Sequence, residues 1–412
     1  MKSGKRSRRL LVGAVASALL CVGFTASQAA PRARVQANHP AATQRRSNQT
    51  FEAAAQRGDT YLHQGNRPAA LREFETATTL APTNAKLWQL VGDLRFSLDK
   101  APEALSAWER AAALQPWNDA IVDRLARGAV RVGDYERAVA AETRVVSLLA
   151  DTLESAPETM RTDVGTGNAE PIGHAYMNHL GVLSELAVLS GDFTTAEESA
   201  RKLMKFAPDA VDGKIALAYV HLHAAEYDDA EDLYREVVAV APGNATALNN
   251  LGNILYMRKD FNGASDLFER ILEVDDVSEY SQSIALANLG ELLQLQSAFK
   301  DAKAMYDQAI AIQPKGAWGY MGLAALLDVT GHYDEATDRM IDGWERDQNH
   351  LTRLNMHFYK DEWTWQRDAL IAEVEGDTPL AQQLWGKILS GDVPMLKKSA
   401  AWHLRTLSLS ER

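Results

Sequence analysis

Residues 85–118 read AKLWQLVGDLRFSLDKAPEALSAWERAAALQPWN, and this stretch decides the fold. Its small and large positions recur, 34 residues apart, in the stretch before it: Gly58 with Gly92, Ala70 with Ala104, Phe74 with Trp108, and Pro82 with Pro116. A small residue lets two helices cross closely, and a bulky residue fills the gap beside the crossing. A proline ends the second helix, because it has no amide proton and clashes with the preceding turn. The spacing therefore predicts a pair of helices in each unit.

The same period continues through most of the chain. The pattern places repeats one to three in residues 51–152, an insertion at 153–176, repeats four to eight in 177–350, and a degenerate ninth repeat with a capping helix in 351–412. Repeat three departs from the pattern, since Glu142 stands at the aromatic position. A single helix pair cannot bury its apolar face alone, so such units must stack to form a continuous core.

This pattern resembles that of the tetratricopeptide repeat family over almost all of the chain after residue 50. Repeats six and seven show the family's Leu-Gly pair, alanine and aromatic residue at Leu251-Gly252, Ala264 and Phe268, and at Leu289-Gly290, Ala302 and Tyr306. The resemblance implies an all-α fold, an α-solenoid of tandem helix–turn–helix repeats that forms a superhelix with a concave inner face. It also implies that the chain binds other proteins.

Composition and charge exclude several classes of protein. The 412 residues are 46% hydrophobic and 24% charged, which excludes wholesale disorder and a multi-span membrane protein. Residues 1–50 contain basic but no acidic side chains, so the rest of the chain holds all 55 carboxylates and is strongly acidic. An acidic surface repels phosphate backbones, and we expect no nucleic-acid partner. Cys21 is the one cysteine, so no disulfide forms within the chain.

The first fifty residues have the layout of an export signal. A basic segment ends at Arg9, an uncharged apolar segment runs from Leu10 to Phe24, and small residues lead to Ala29. This layout is typical of a cleaved signal peptide over residues 1–29, so we expect a periplasmic or secreted protein with no membrane span in its mature form. Residues 30–50 are polar and aperiodic, and we expect a disordered basic tether there.

Some alternatives for this segment stay open. The uncharged run also suits retention as an N-terminal anchor helix. The residues SRRLL at 7–11 resemble a twin-arginine signal, so the export route is either that pathway or the general secretory pathway. Leu20 precedes Cys21 at a position where lipidation needs a small residue, so we expect the cysteine to be removed with the signal peptide.

The sequence contains no motif that carries catalysis. It has no Gly-Lys-Ser/Thr phosphate loop, no Gly-x-Ser-x-Gly elbow and no His-Glu-x-x-His metal motif, and its ten histidines lack the spacing of metal ligands. We therefore expect a non-enzymatic scaffold of the bacterial envelope, without cofactor or metal, whose partners are other envelope proteins or peptides. The alternative is an enzyme, or a subunit that accompanies one, with a site in the 153–176 insertion or the C-terminal cap.

The family resemblance also indicates where a partner binds, because the first helix of each repeat lines the groove. At those positions repeat six presents Asn249, Asn250 and Asn253, repeat seven presents Asn288, and repeat eight presents Trp318. A side-chain amide both donates and accepts, so a row of them bonds an extended peptide backbone whatever its sequence. We expect the amides to face solvent and the indole to anchor the peptide. The alternative is that these asparagines belong to the repeat consensus and bind nothing.

A second candidate surface lies in repeat three. Arg124, Arg127 and Arg131 are three and four residues apart, which places them on one face of a helix. This stripe is a candidate site for an acidic segment of a partner. The alternative is that the arginines neutralise Asp59 and Asp93 of the neighbouring repeats.

Overall fold

A computed structural model of the chain describes residues 41–155, 171–347 and 362–410, which form nineteen helices and no strand. The all-α fold expected from the 34-residue period is thereby confirmed. The predicted signal peptide, residues 1–29, lies outside the described residues. Within the described parts of the chain, no helix combines the length and apolar character that a membrane span requires.

The chain divides into two compact units, Met1–Ser190 and Gly191–Arg412. The helices of unit 1 are α1 (Ala41–His63), α2 (Arg67–Leu80), α3 (Ala85–Ser97), α4 (Ala101–Leu114), α5 (Asp119–Arg131), α6 (Tyr135–Ser155) and α7 (Pro171–Ser190). The helices of unit 2 are α8 (Phe193–Phe206), α9 (Asp212–His223), α10 (Tyr227–Val240), α11 (Ala245–Met257), α12 (Phe261–Leu272), α13 (Glu279–Leu295), α14 (Phe299–Ile312), α15 (Trp318–Val329), α16 (Tyr333–Arg346), α17 (Glu362–Glu375), α18 (Thr378–Ser390) and α19 (Pro394–Ser410). In each unit every helix packs against the next one along the chain, as tandem helix pairs require.

The small and large positions of the sequence pattern hold each repeat together. In the second helix of every repeat, the alanine at the small position of the pattern is fully buried: Ala70, Ala104, Ala138, Ala196, Ala230, Ala264, Ala302, Ala336 and Ala381. The side chain four residues later is also buried and packs onto a glycine of the first helix in several repeats. A Cβ atom at Gly290 would lie 2.7 Å from the ring of Tyr306, so only glycine fits at that crossing.

The turn within each repeat uses one residue in the left-handed backbone region. The φ values run from 61° to 88° at Gly65, Asp99, Gly133, Gly191, Ala225, Lys259, Ser297, Gly331 and Gly376. This conformation ends the first helix and reverses the chain toward the second. Five of the nine positions are glycine, the residue that adopts a positive φ without steric cost.

The structure differs from two boundaries expected from the sequence. Helix α1 begins at Ala41, so the second half of the expected tether at 30–50 is helical; it has no glycine or proline and continues directly into the helix of repeat one. The ends of the expected insertion at 153–176 are helical too, because Leu153 of α6 and Ala175 of α7 are buried in unit 1. Residues 156–170, the centre of that insertion, lie outside the described residues.

Candidate functional site

The five side chains predicted to line a groove meet at one cavity of unit 2. This cavity, which we call the amide cavity, has a volume of about 200 Å³. Asn249, Asn250 and Asn253 reach it from α11, Asn288 from α13 and Trp318 from the start of α15. Its wall also includes Tyr219 and His223 of α9, Tyr280 and Glu291 of α13, and Arg367 of α17.

The spacing of residues along α11 explains why its asparagines share one wall. The side-chain oxygen of Asn244 accepts the amide proton of Ala247 at 2.9 Å and so begins the helix. Leu248, Leu251 and Ile254 then fill the core, and the asparagines lie beside that apolar stripe. All three asparagines are half-buried, as is Asn288 on the neighbouring first helix.

The asparagines form a hydrogen-bonded network among themselves. Asn288 Nδ2 donates to Asn249 Oδ1 at 2.9 Å and to Asn253 Oδ1 at 3.5 Å. Asn249 Nδ2 donates to Asn250 Oδ1 at 3.4 Å, and Asn250 Nδ2 donates to the hydroxyl oxygen of the fully buried Tyr234 at 3.0 Å. The amides that were expected to face solvent are therefore half-buried at the cavity wall and bonded to one another. First helices of successive repeats approach closely enough for amides to bridge them.

A pair of opposite charges completes the wall. Arg367 Nη1 donates to Glu291 Oε2 at 2.9 Å, and the hydroxyl of Tyr256 donates to the other carboxylate oxygen at 3.0 Å. Sequence reasoning missed Arg367, which lies 76 residues from Glu291 in the degenerate ninth repeat. No sequence spacing connects the two residues, because their proximity depends on how the repeats stack.

The arginine stripe of repeat three is engaged within unit 1. Arg124 Nε donates to Asp93 at 2.9 Å, Arg131 Nη2 lies 3.2 Å from Asp99, and Arg127 pairs with Asp123. These ion pairs favour the interpretation of internal counter-charges over a site for an acidic partner. Of the two carboxylates expected as counter-charges, Asp93 pairs with an arginine of the stripe. The other two arginines pair with Asp99 and Asp123 instead of the expected Asp59.

The departure of repeat three from the pattern also has a structural explanation. Glu142 stands at the aromatic position of α6 and is only 2% exposed. Burial raises the pKa of its carboxyl group. Nδ1 of His179, on α7, lies 2.5 Å from Glu142 Oε1 and supplies the partner that a buried carboxyl group needs.

The C-terminal cap contains a histidine between two carboxylates. The ring nitrogens of His403 on α19 lie 2.8 Å from Asp328 of α15 and 2.8 Å from Glu373 of α17. The ring of Trp385 stacks on the imidazole at 4.3 Å, and His403 is only 1% exposed. The cluster therefore joins four helices, α15, α17, α18 and α19, around a buried imidazole. The other location considered for an enzymatic site, the centre of the insertion, lies outside the described residues.

Comparison with known proteins identifies the family. Two models of the tetratricopeptide repeat match the chain, one at residues 55–120 and 183–238 and the other at 213–276 and 243–315. The chain belongs to the tetratricopeptide repeat (TPR) family. A TPR array is a scaffold for protein–protein interaction and is typically non-enzymatic, so the partners of this TPR protein are expected to be proteins.

Solved structures resemble the TPR protein only distantly. They include a tetratricopeptide repeat protein from Parabacteroides merdae (13% identity, TM-score 0.46, 72% of this chain and 99% of that chain), PilF of Pseudomonas aeruginosa (19%, 0.38, 56% and 98%) and yeast Tom70 (11%, 0.40, 89% and 97%). Likenesses at this level support no argument about function. No curated protein matches the sequence.

Proposed function

We propose that this TPR protein is an exported, non-enzymatic scaffold of the bacterial envelope that holds an extended segment of a partner protein in the amide cavity. One observation carries the proposal: five side chains selected from the sequence as groove residues line a single cavity. The cavity combines amides with the aromatic rings of Tyr219, Tyr280 and Trp318. Pockets that bind ligands use such apolar surface for affinity and a few polar groups for orientation.

The amide network supports a peptide as the ligand. A side-chain amide has two donor protons and two acceptor lone pairs. The network described above uses two of these four positions at each of Asn249, Asn250 and Asn288. The cross-bonding also fixes the amides before a ligand arrives, which lowers the entropic cost of binding.

The binding site is tested by photo-crosslinking in the native cell. Tyr280 lines the cavity, is 41% exposed, and is replaced by p-benzoylphenylalanine. We expect a specific crosslinked partner from this position and none from the same substitution at Val240, which is 69% exposed and outside the cavity. The crosslink should weaken in an Asn249→Ala/Asn288→Ala variant and persist in Asn262→Ala, an exposed asparagine of α12. Equal crosslinking from both positions would contradict the proposed site.

Export is supported by the basic, apolar and small-residue layout of residues 1–29. The test is the intact mass of the protein purified from its native cell. We expect a chain that begins at Ala30 and therefore lacks Cys21. A mass that includes Cys21, with or without lipid, would overturn the predicted cleavage site.

A further inference from the structure

The turn between α9 and α10 brings three side chains with metal-binding groups together. His221 lies in the last turn of α9, Glu226 immediately precedes α10, and Asp229 lies in the first turn of α10. Each offers one ligand atom, and these three atoms all lie within 4.8 Å of one another. Nδ1 of His221 lies 2.5 Å from Oε2 of Glu226. The imidazole and the two carboxylates therefore present their ligand atoms to one point beside the turn.

The backbone of the turn holds this arrangement. Residues five apart in one continuous helix do not share a face, so the helical period alone would separate His221 from Glu226. Ala225 has a φ of 63°, and the amide of Glu226 donates to the carbonyl oxygen of His221 at 2.8 Å, so the chain reverses between them. The side chain of Glu226 makes no capping hydrogen bond at the start of α10 and pairs with His221 instead. The cluster depends on this reversal, which the spacing of the histidines did not indicate.

The surroundings of the cluster retain negative charge. Arg258, at the end of α11, pairs with Asp228 and Glu231. Within the parts of the chain that the structure describes, no lysine or arginine pairs with Glu226 or Asp229. A cation bound between these two carboxylates would neutralise charge that the protein itself leaves uncompensated.

We propose that His221, Glu226 and Asp229 bind a divalent transition-metal ion of the Zn²⁺ class. The ligands decide the class, because an imidazole nitrogen suits zinc, nickel and copper, whereas Ca²⁺ and Mg²⁺ take oxygen ligands. Three protein ligands leave at least one coordination position for water. The inference goes beyond the proposed function and does not rest on it.

The ion requires only small movements of the side chains. Bonds of about 2.0–2.2 Å place the ligands of a tetrahedral zinc ion about 3.3 Å apart, so the carboxylate of Glu226 must move about 1 Å from the imidazole. The side chain of Glu226 is 53% exposed and Asp229 is exposed, so both can rotate. A bound ion would link α9 to α10 across the turn. It would stabilise unit 2, because the unfolded chain does not hold the three ligands together.

The experiment is a titration of the purified protein with ZnCl₂ in chelator-free buffer at neutral pH, followed by isothermal calorimetry. We expect one ion per chain at the tightest site, and an equal concentration of CaCl₂ should not displace it. His221→Asn and Asp229→Asn should each weaken zinc binding by about tenfold or more. Even a residue that only orients a metal ligand contributes about ten- to a hundredfold to metal affinity.

Asp228→Asn is the matched control. It removes the same charge one residue away, from an exposed carboxylate that pairs with Arg258 and is not one of the three ligands. We expect its zinc affinity to equal that of the unmodified protein. In thermal unfolding, ZnCl₂ should raise the midpoint of the unmodified protein and of Asp228→Asn, but not that of Asp229→Asn.

Three results would overturn the inference: no zinc bound to the unmodified protein, displacement of zinc by CaCl₂, or equal weakening by Asp228→Asn and Asp229→Asn. The last result would show a general attraction of cations to an acidic surface. Thermal unfolding without metal checks that each variant folds, and should His221→Asn not fold, the exposed Asp229→Asn alone decides. None of these results bears on the proposed function, because the three ligands lie outside the amide cavity.

Discussion

At the scale of single residues, the hydroxyl of Tyr234 ties the amide network to the core of unit 2. Burial raises the pKa of this hydroxyl, so it stays neutral, and it accepts a hydrogen bond from Asn250. We expect Asn250→Ala to lower the free energy of unfolding by about 1–2 kcal/mol, because a buried polar group loses its partner. Urea unfolding measures the loss. The loss of stability caused by Asn250→Ala should be smaller in a Tyr234→Phe background. A loss of the same size there would show that the hydrogen bond between Asn250 and Tyr234 is not its cause.

His403 makes the stability of the cap depend on pH. Burial lowers its pKa, but the hydrogen bonds to Asp328 and Glu373 outweigh this effect and raise the pKa to about 9. Because the pKa of His403 is higher in the folded than in the unfolded chain, where it is about 6.5, protonation of His403 stabilises the fold. This stabilising free energy is complete below pH 6.5 and is lost as the pH rises through about 9. We expect the free energy of unfolding of unit 2 to fall by about 2–3 kcal/mol between those limits. Urea unfolding across this pH range should show the fall in the unmodified chain and a flatter profile in His403→Gln.

At the scale of the helix pair, the turn within each repeat demands a positive φ whatever residue occupies it. Ala225, between α9 and α10, has a φ of 63°, which costs an L-residue about 1–2 kcal/mol. We expect Ala225→Gly to stabilise unit 2 by roughly 0.5–1 kcal/mol after the entropic cost of glycine, as measured by the urea midpoint.

Two glycines provide matched controls, because a Cβ atom at either would meet nothing within 4 Å. Gly331 occupies the turn of repeat eight with a φ of 88°, so Gly331→Ala should destabilise by about 1 kcal/mol. Gly386 lies inside α18, where Gly386→Ala should stabilise by up to about 1 kcal/mol. If both substitutions changed the free energy of unfolding in the same direction, backbone conformation would not control the stability of these turns.

At the scale of the whole molecule, a repeat array transmits a packing defect mainly to its neighbours. Ala264 of α12 is fully buried at a helix crossing, and Ala264→Leu should cost about 1–3 kcal/mol by overpacking. Amide hydrogen exchange should accelerate in α10 to α13 and stay unchanged in α2 to α5 of unit 1. Uniform acceleration through both units would contradict the local character of the array.

The sequence by itself was enough to predict the all-α repeat fold. The 34-residue period of small, aromatic and proline residues is local information. It reflects the packing of the two helices within a repeat and of each repeat on the next. The same register selected Asn249, Asn250, Asn253, Asn288 and Trp318, since first-helix positions of successive repeats face one side. Their shared cavity follows directly from that register.

Only the tertiary structure decided what those side chains bond to and which charges accompany them. Arg367 reaches Glu291 and His403 reaches Asp328, across 76 and 75 residues of sequence, because stacking brings distant helices together. In α19 the buried side chain is the polar His403, which two carboxylates stabilise, whereas its neighbour Trp402 is half-buried. Periodicity identifies the helix face on which a residue lies. The hydrogen-bond partner of that residue is a side chain of another helix, and the spacing of residues within one repeat does not encode it.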